Sequence, residues 1–599
     1  MPTVKVSFAL DDSVYEAEKG SKLYDICTDA GFPQDLVCGA HGKCGKCAVQ
    51  ILINGHTSTV LACQYPVEED ITVTKISNLA NRKVNVLTSN TTLDCAINPS
   101  LKSLTASVAD FMPDHCGSFM SKIKAKFKLL VDPSALNKLA SAVSTHEPDK
   151  EVTFIIFKNT IIDVQAGGNP KLYGLAVDIG TTTVAAYIYD MEKAEMAGVY
   201  SSLNQQTSLG ADVISRIGYC IHEPNGTAVM RQMICSTLNY ILSLAKADGI
   251  DTSMIYQASI CGNSTMQHLF LGIYPESLGK HPFVSATHDF VEILGQDSLL
   301  DVHPRARVTF LPLLGGFVGA DTTAVLTGLP DDGEVRLALD LGTNGEIAIG
   351  SPDRYITAST ACGPALEGAG LSCGMRAADG AIEHFAFNSE KVHSLQVIGD
   401  VAATGICGSG IIDILACLIR ENVINSRGKM YSKEEYIAEN GEDAISERLM
   451  KIDGINAYIL ANAAESGNGE AVFFSQHDAR QIQLAKAAIA TGCEIVVNNY
   501  GIQKQNIKEV VLAGAFGNYL DVVNAQYIGL IPEYEGVPVR SIGNGAGTGV
   551  QMYLLDNSTA AKCRKIQKNT VHTELNFQEE FKDTYFGEME FRNAADADE

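Results

Sequence analysis

The chain has 599 residues and a net charge of −25, and this acidity argues against a nucleic-acid partner because phosphate backbones are also negative. Apolar residues make up 46% of the chain and charged residues only 19%, which excludes a largely disordered protein. Because no long apolar run and no signal-peptide core occur in the sequence, we expect a cytoplasmic protein with no membrane partner.

Residues 1–78 are predicted to form a small β-rich unit. Val4, Val6 and Phe8 alternate with polar neighbours, which is the pattern of a strand with one buried face. The segment SKLYDICTDAG predicts a short helix, and CAVQILING and ITVTKIS predict two further strands. Cys27 lies on this helix and is expected in the hydrophobic core, where reduced cysteines commonly lie.

Four cysteines of this unit have the spacing of an iron–sulfur site, Cys38-x5-Cys44-x2-Cys47-x15-Cys63. Four thiolates suffice to hold a [2Fe–2S] cluster, and glycines between the ligands let backbone N–H groups point at the sulfurs. Structural zinc usually takes paired C-x2-C knuckles, and only one such pair is present. The spacing therefore favours a [2Fe–2S] cluster over zinc and over a unit without metal.

The unit resembles a plant- or adrenodoxin-type ferredoxin domain, which implies a β-grasp fold around the cluster. Its first three cysteines carry the resemblance, whereas the interval before Cys63 is shorter than in those ferredoxins. Cys27 is therefore the alternative to Cys63 as the fourth ligand.

Two segments precede the largest part of the chain. Residues 79–98 have weak periodicity and predict a linker, and residues 99–170 predict a small α+β middle domain. Four lysines from Lys122 to Lys128 alternate with apolar residues, which predicts a strand with one solvated face. PSALNKLASAV predicts a helix with Pro133 in its first turn, and EVTFIIF predicts a strand.

Residues 171–599 contain an internal duplication. LAVDIGT (175–181) and LALDLGT (337–343) match at five of seven positions, at an offset of 162 residues. A weaker pair is formed by QASICGNS (257–264) and VVLAGAFG (510–517), which are both strand-like runs that enter glycine turns. A period of this size is that of a domain and not of a solenoid repeat. It predicts two similar α/β lobes that face each other.

The repeated turns are suited to hold a nucleotide. No GxxxxGK[ST] segment occurs, so a P-loop is excluded. Asp178 and Asp340 each end a predicted strand, where a carboxylate can orient Mg²⁺ and water. The residues after them offer backbone N–H groups and hydroxyls to phosphates. These residues are Gly180, Thr181, Thr182, Thr183, Gly342, Thr343 and Asn344. Two such turns would clamp ATP from both sides.

The turns and the segment VVLAGAF resemble the phosphate and adenosine motifs of the actin, Hsp70 and sugar-kinase ATPase superfamily. The resemblance implies a two-lobed ATPase domain in which Gly514, Ala515 and Phe516 line the nucleoside.

Two further segments have more ambiguous patterns. In LGADVISRI, Asp212 and Arg216 lie four residues apart, so a helical ion pair and a functional site explain them equally well. The tail, 571–599, carries nine acidic residues and predicts a docked end segment followed by a frayed acidic terminus.

The whole arrangement is similar to the reductive activators of corrinoid proteins. GNSTMQHLFLG, LPLLGGFVGAD, LDLGTNGE and GICGSGIID resemble motifs of that family. The resemblance implies an ATP-dependent reductase that passes an electron from the [2Fe–2S] cluster to an inactive Co(II) corrinoid protein and yields Co(I) for methyl transfer. It also implies an external low-potential electron donor and a homodimer.

Other functions remain open at this point. A redox-sensing regulator or chaperone could use its cluster to gate the ATPase without reducing a substrate. The 2-hydroxyacyl-CoA dehydratase activators share the ATPase fold but bridge one [4Fe–4S] cluster between two subunits, whereas a separate domain carries the four cysteines here. A small-molecule kinase would leave residues 1–78 unexplained.

Overall fold

The computed structural model describes most of the chain. The described residues are 3–9, 13–30, 32, 47–53, 55–76, 93, 95–113, 117–143, 147, 149–168, 170–342, 344–360, 362, 364–368, 370–514 and 520–591. Most of the predicted linker 79–98 and the last eight residues of the tail lie outside them. Across the described ranges, no helix is both long and apolar enough to cross a membrane.

The first unit is a five-stranded mixed sheet with one helix. Its elements are β1 (Thr3–Phe8), β2 (Ser13–Glu18), α1 (Leu23–Asp29), β3 (Ala48–Ile53), β4 (His56–Leu61) and β5 (Ile71–Ile76). The strand order is β2–β1–β5–β3–β4, in which β1 and β5 run parallel and the other neighbours antiparallel. Helix α1 buries Leu23, Ile26 and Cys27 in the core of this unit, as predicted for Cys27.

The second unit is a four-stranded sheet covered by short helices. Its elements are β6 (Leu101–Ser107), α2 (Val108–Phe111), α3 (Phe119–Phe127), β7 (Leu130–Val131), a 3₁₀ helix (Pro133–Ala135), α4 (Leu136–Val143), β8 (Glu151–Phe157) and β9 (Thr160–Ala166). The strand order is β6–β8–β9–β7. The predicted helix from Pro133 and the predicted strand EVTFIIF are confirmed.

The prediction of a strand for the lysine-rich segment is wrong, because the segment forms helix α3. Phe119, Ile123 and Phe127 lie four residues apart, so they fall on one face of a helix as well as on one face of a strand. The Ser118 hydroxyl accepts a hydrogen bond from the Ser121 N–H and caps the first turn. Lys128 ends the helix with a φ of 58°.

A buried carboxylate joins the second unit to the sheet that follows. Asp163 on β9 is fully buried and accepts hydrogen bonds from Lys138 (2.7 Å), the Tyr256 hydroxyl (2.8 Å) and Arg305 (3.1 Å). His303 Nε2 lies 3.3 Å from the same carboxylate. Burial alone would raise the pKa of Asp163, but these hydrogen bonds hold it well below its usual range.

The first lobe follows from residue 173. Its elements are β10 (Tyr173–Ile179), β11 (Thr183–Asp190), β12 (Glu195–Leu203), α5 (Val213–His222), α6 (Gly226–Ala247), β13 (Ile255–Gly262), α7 (Ser264–Leu271), α8 (Glu276–Gly279), β14 (Val291–Leu294), α9 (Gly295–Ser298), β15 (Arg307–Phe310) and α10 (Ala320–Gly328), with 3₁₀ helices at Gln205–Ser208 and Thr252–Met254. The sheet order is β12–β11–β10–β13–β15–β14.

The last stretch of the chain, from residue 336, builds the second lobe and then returns to the first. Its elements are β16 (Arg336–Leu341), β17 (Gly345–Ser351), β18 (Arg354–Thr360), β19 (Ala381–Phe387), β20 (His393–Val397), β21 (Gly405–Ile406), α11 (Gly408–Arg420), α12 (Lys433–Asn440), α13 (Ala444–Arg448), β22 (Leu449–Ile452), β23 (Ile455–Ala461), β24 (Val472–Ser475), α14 (Gln476–Tyr500), β25 (Val510–Ala513), α15 (Val522–Tyr527), β26 (Val539–Ser541), α16 (Gly545–Leu555), α17 (Thr559–Asn569), β27 (Thr570–His572) and α18 (Phe581–Gly587), with 3₁₀ helices at Pro364–Glu367, Ile398–Asp400, Lys504–Asn506 and Leu575–Phe577. Its main sheet has the order β26–β25–β16–β17–β18–β27.

The two main sheets repeat one topology. In each, three antiparallel strands are followed by two parallel strands, as β12–β11–β10–β13–β15 and as β18–β17–β16–β25–β26. Asp178 pairs across the sheet with Cys261, and Asp340 pairs in the same way with Ala513. Both internal echoes of the sequence therefore lie at equivalent places, which confirms the prediction of two similar α/β lobes.

The C-terminal elements bridge the lobes. Helix α16 belongs to the core of the first lobe, where it packs closely on α10. A Cβ at Gly549 would lie 1.8 Å from the Ala324 carbonyl oxygen, so only glycine permits this approach. Strand β27 pairs with β18, and Phe591 is buried in the core of the second lobe. The predicted docking of the C-terminal segment is confirmed.

Candidate functional site

The two aspartates predicted from the repeated motif lie at the ends of equivalent strands. Asp178 Oδ2 accepts a hydrogen bond of 3.0 Å from Asn544 Nδ2, at the N-terminus of α16. Asp340 lies opposite Glu346 on β17 and beside Gly514, which follows β25. The fold thus brings together residues separated by more than 300 positions in sequence.

Four carboxyl groups act on one another in this region. Burial raises the pKa of Asp178 to about 6, although hydrogen bonds from Asn544 and Cys261 act to lower it. Burial, with the charges of Asp321 and Asp178, raises the pKa of Asp340 to about 8. Burial also raises the pKa of Asp321 to about 6, and burial with the charges of Asp321 and Asp340 raises that of Glu346. Such mutual repulsion is what a bound cation would relieve.

Side chains of the first lobe hold the first of the two predicted phosphate turns, Gly180–Thr183. Asn204 Nδ2 donates to the Gly180 carbonyl at 3.0 Å, and Asn263 Nδ2 donates to Thr181 Oγ1 at 3.0 Å. A Cβ at Gly180 would lie 2.5 Å from the Thr183 carbonyl oxygen, so the turn requires glycine there. These hydrogen bonds and the required glycine therefore define the conformation of the turn.

The predicted second turn and nucleoside segment are described in part. The Gly342 N–H donates to the Asn344 carbonyl at 3.0 Å, which closes the turn after Asp340. Thr343, Ala515 and Phe516 lie outside the described residues.

A hydrogen bond between side chains connects the two lobes beside the turns. Thr182 Oγ1 donates to Glu367 Oε2 at 3.4 Å. Glu367 ends a 3₁₀ helix in the second lobe, and its other carboxylate oxygen lies near Gly342. Glu367 therefore lies beside both of the turns that the repeated motif predicts.

Two of the four predicted cluster ligands are described, and they lie together. The Sγ atoms of Cys47 and Cys63 are 3.2 Å apart, and both side chains are buried. Cys38 and Cys44 lie outside the described residues. Over the described ranges alone, no three His, Cys, Asp or Glu side chains are gathered closely enough to hold a metal ion.

Comparison with known proteins identifies the family. Two family descriptions match the chain: "RACo middle region" over residues 173–329 and "C-terminal domain of RACo the ASKHA domain" over residues 334–598. A protein of Eubacterium limosum, "Corrinoid activation enzyme RamQ", is 42% identical over 592 residues, which are 97% of this chain and 98% of that protein. This chain belongs to the RACo family.

Further relatives of the RACo family agree with this assignment. A solved structure, "Reductive activator for corrinoid,iron-sulfur protein", is 28% identical, covers 98% of both chains and superposes with a TM-score of 0.75. "[Co(II) methylated amine-specific corrinoid protein] reductase" of Methanosarcina barkeri is 24% identical over 70% of this chain and 77% of that protein. The predicted membership among corrinoid reductive activators, with an actin, Hsp70 and sugar-kinase-like domain, is confirmed.

Sequence reasoning about this RACo-family chain missed several residues of the site. Asp321 and Glu346 lie inside LPLLGGFVGAD and LDLGTNGE, which were noted only as family motifs. Asn544 is the second residue of the glycine-rich run GNGAGTG (543–549), whose glycines at the start of a helix were the available signal. Glu367 had no local signal, because its position depends on the approach of the two lobes.

Proposed function

We propose that this protein is an ATP-dependent reductive activator, which transfers one electron from a [2Fe–2S] cluster to a Co(II) corrinoid protein and yields Co(I). One observation carries this proposal: the same chain contains two equivalent strand ends with a carboxylate and a glycine turn, and a separate sheet with two buried thiols in contact. The names of the relatives support a reductase over a regulator or chaperone.

ATP and Mg²⁺ are proposed to bind between the lobes. We assign the phosphates to Gly180–Thr183 and Gly342–Asn344, and the nucleoside to Gly514–Phe516. Asp178 and Asp340 would orient Mg²⁺ and its water, and the gathered carboxylates of this region fit a divalent cation because their ionisation is suppressed without one. Mg²⁺ commonly keeps several waters, so a dense set of direct ligands is not required.

The cluster is proposed to be held by Cys38, Cys44, Cys47 and Cys63. The contact between the Sγ atoms of Cys47 and Cys63 supports Cys63 as the fourth ligand, because it places Cys63 beside another proposed ligand. The Gln64 side-chain amide donates to Cys63 Sγ at 3.6 Å, as groups around cluster sulfurs do. When bound, the cluster would supply one electron at low potential, about −400 mV for plant-type centres. The mixed sheet with one helix supports a ferredoxin-like β-grasp domain.

The domain limits follow from this assignment. We assign residues 1–78 to the cluster domain, 79–98 to a linker, 99–170 to a middle domain and 171–599 to the two-lobed ATPase with its acidic tail. The partners are a Co(II) corrinoid protein as acceptor and an external low-potential donor, and the protein acts as a homodimer in the cytoplasm. No nucleic acid or membrane takes part.

ATP can assist the reduction only through a difference in affinity between two states of the protein. A ligand that binds both states equally shifts nothing. The contact between Thr182 and Glu367 supports such a difference, because ATP bound between the turns would act on both lobes at once. Closing the lobes on ATP would then favour the state that reduces the corrinoid partner.

Reduction of an isolated Co(II) corrinoid protein of a methyltransferase system tests this function. Reduced protein with Mg-ATP should produce the Co(I) absorption band. Cys44→Ala should abolish that band and leave ATP binding intact, whereas Asp340→Asn should weaken Mg-ATP binding and leave the cluster intact. Absence of Co(I) with an intact cluster contradicts the proposal, and loss of only ATP binding in both variants favours the regulator.

A further inference from the structure

Arg216 on α5 is a fully buried cation directly behind the first phosphate turn. Its Nη2 donates to the Thr181 carbonyl, and its Nε donates to the Gly210 carbonyl at 2.9 Å. Its Nη1 donates to Gln206 Oε1 at 3.0 Å and points toward Met266 Sδ at 3.3 Å. All of these partners are neutral.

The sequence left a pair with Asp212 open, and the structure does not contain that ion pair. Asp212 instead caps α5, where its Oδ1 accepts a hydrogen bond from the Ser215 N–H at 2.7 Å. Within the described part of the chain, no carboxylate lies within ion-pair distance of Arg216. Burial lowers the pKa of Arg216 to about 9, and the charge of Asp212 offsets only part of that effect. A buried cation with no direct ion-pair partner is costly, so a nearby anion would complete its surroundings.

The geometry of the turn directs its N–H groups away from Arg216. In a trans peptide the C=O and N–H point in opposite directions. Asn204 holds the Gly180 carbonyl and Arg216 holds the Thr181 carbonyl, so the N–H groups of Thr181 and Thr182 face the other way. Among the described residues, neither N–H donates to a protein acceptor.

We propose that Arg216 is a positioning residue that aims the N–H groups of Thr181 and Thr182 at a nucleotide phosphate and supplies the positive charge that balances it. This inference rests on the proposed binding of ATP. Arg216 does not touch the nucleotide, because the Thr181–Thr182 peptide lies between them. Its effect should therefore depend on phosphate charge and not on the nucleoside.

Calorimetric titration of the full-length protein with ATP, ADP and adenosine tests this role. Arg216→Gln should weaken ATP binding by about tenfold to a hundredfold, the range for loss of a charge-assisted hydrogen bond, and leave adenosine unchanged. Arg216→Lys keeps the charge and should lose less affinity than Arg216→Gln.

Arg231, which is half-buried, provides the control. Its guanidinium also donates to two carbonyls of the first lobe, those of Phe270 (3.1 Å) and Asp297 (2.8 Å), but neither carbonyl belongs to the turn. Arg231→Gln should keep wild-type ATP affinity. The inference would be overturned if Arg216→Gln lost as much affinity for adenosine as for ATP. It would also be overturned if Arg216→Lys and Arg216→Gln both folded and bound ATP as tightly as the wild type. Failure of the wild type to bind ATP would instead refute the proposed function.

Discussion

Gly514 is the position at which one added methyl group should perturb the site most directly. Its φ is +96°, and a Cβ there would lie 2.6 Å from the Leu341 carbonyl oxygen and 3.1 Å from Asp340 Oδ1. The left-handed conformation costs an L-residue about 1–2 kcal/mol. Because the nearest atom belongs to the backbone and cannot rotate away, overpacking adds about 1–3 kcal/mol. Gly514→Ala should therefore lower the free energy of unfolding by about 2–5 kcal/mol.

Gly501→Ala separates conformational strain from the steric clash. Gly501 ends helix α14 with a φ of +77°, and a Cβ there would meet no atom within 4 Å. This control should lose only the strain of about 1–2 kcal/mol. Urea unfolding should show that Gly514→Ala is less stable than Gly501→Ala. Only Gly514→Ala should weaken ATP binding, because Asp340 must move to make room for the methyl group. Equal destabilisation of the two variants, with unchanged ATP affinity, would refute this reasoning.

Three further predictions concern ionisation, the cluster and the middle unit. The pKa of Asp340 is raised to about 8, so its protonated form stabilises the fold at low pH, and this contribution is lost as the pH rises toward 8. In thermal melts without Mg²⁺, the wild type should therefore lose stability relative to Asp340→Asn between about pH 4 and pH 8. Cys63→Ala should lose bound iron and sulfide, whereas Cys27→Ala should retain both. Asp163→Asn should destabilise the protein by about 3–5 kcal/mol, since buried donors lose a charged acceptor. Asp301→Asn, which breaks an exposed ion pair, should cost less than about 1 kcal/mol. Equal effects of the paired variants would contradict each argument.

Much of the fold was readable from local patterns. The repeated LA-x-D-x-GT motif predicted two lobes because a duplicated strand and turn require a duplicated sheet around them. Strand β1 and helix α1 were predicted from apolar periodicity, whereas β2 was missed because its inner face, which includes Tyr15 and Ala17, is only half-buried. The lysine-rich segment was wrongly predicted as a strand, because apolar residues spaced four apart fit both a helix and a strand.

The candidate site was only half predictable for a different reason. Asp178 and Asp340 follow recognisable strands, so their sequence context marks them. Asn544 and Arg216 act on the first turn from other elements, and their contacts depend on how α16 and α5 pack against the sheet. The local sequence marks both residues but does not identify their partners, because tertiary packing decides which groups they meet.

The central claim is that ATP bound between the lobes drives the electron from the cluster to the corrinoid partner. A single-turnover experiment tests it: protein with a reduced cluster is mixed anaerobically with a Co(II) corrinoid protein, with or without Mg-ATP, while cluster and cobalt spectra are followed together. The account predicts that each cluster oxidised yields one Co(I), and that this occurs only when Mg-ATP is present. Co(I) formation at the same rate and extent without Mg-ATP would contradict it.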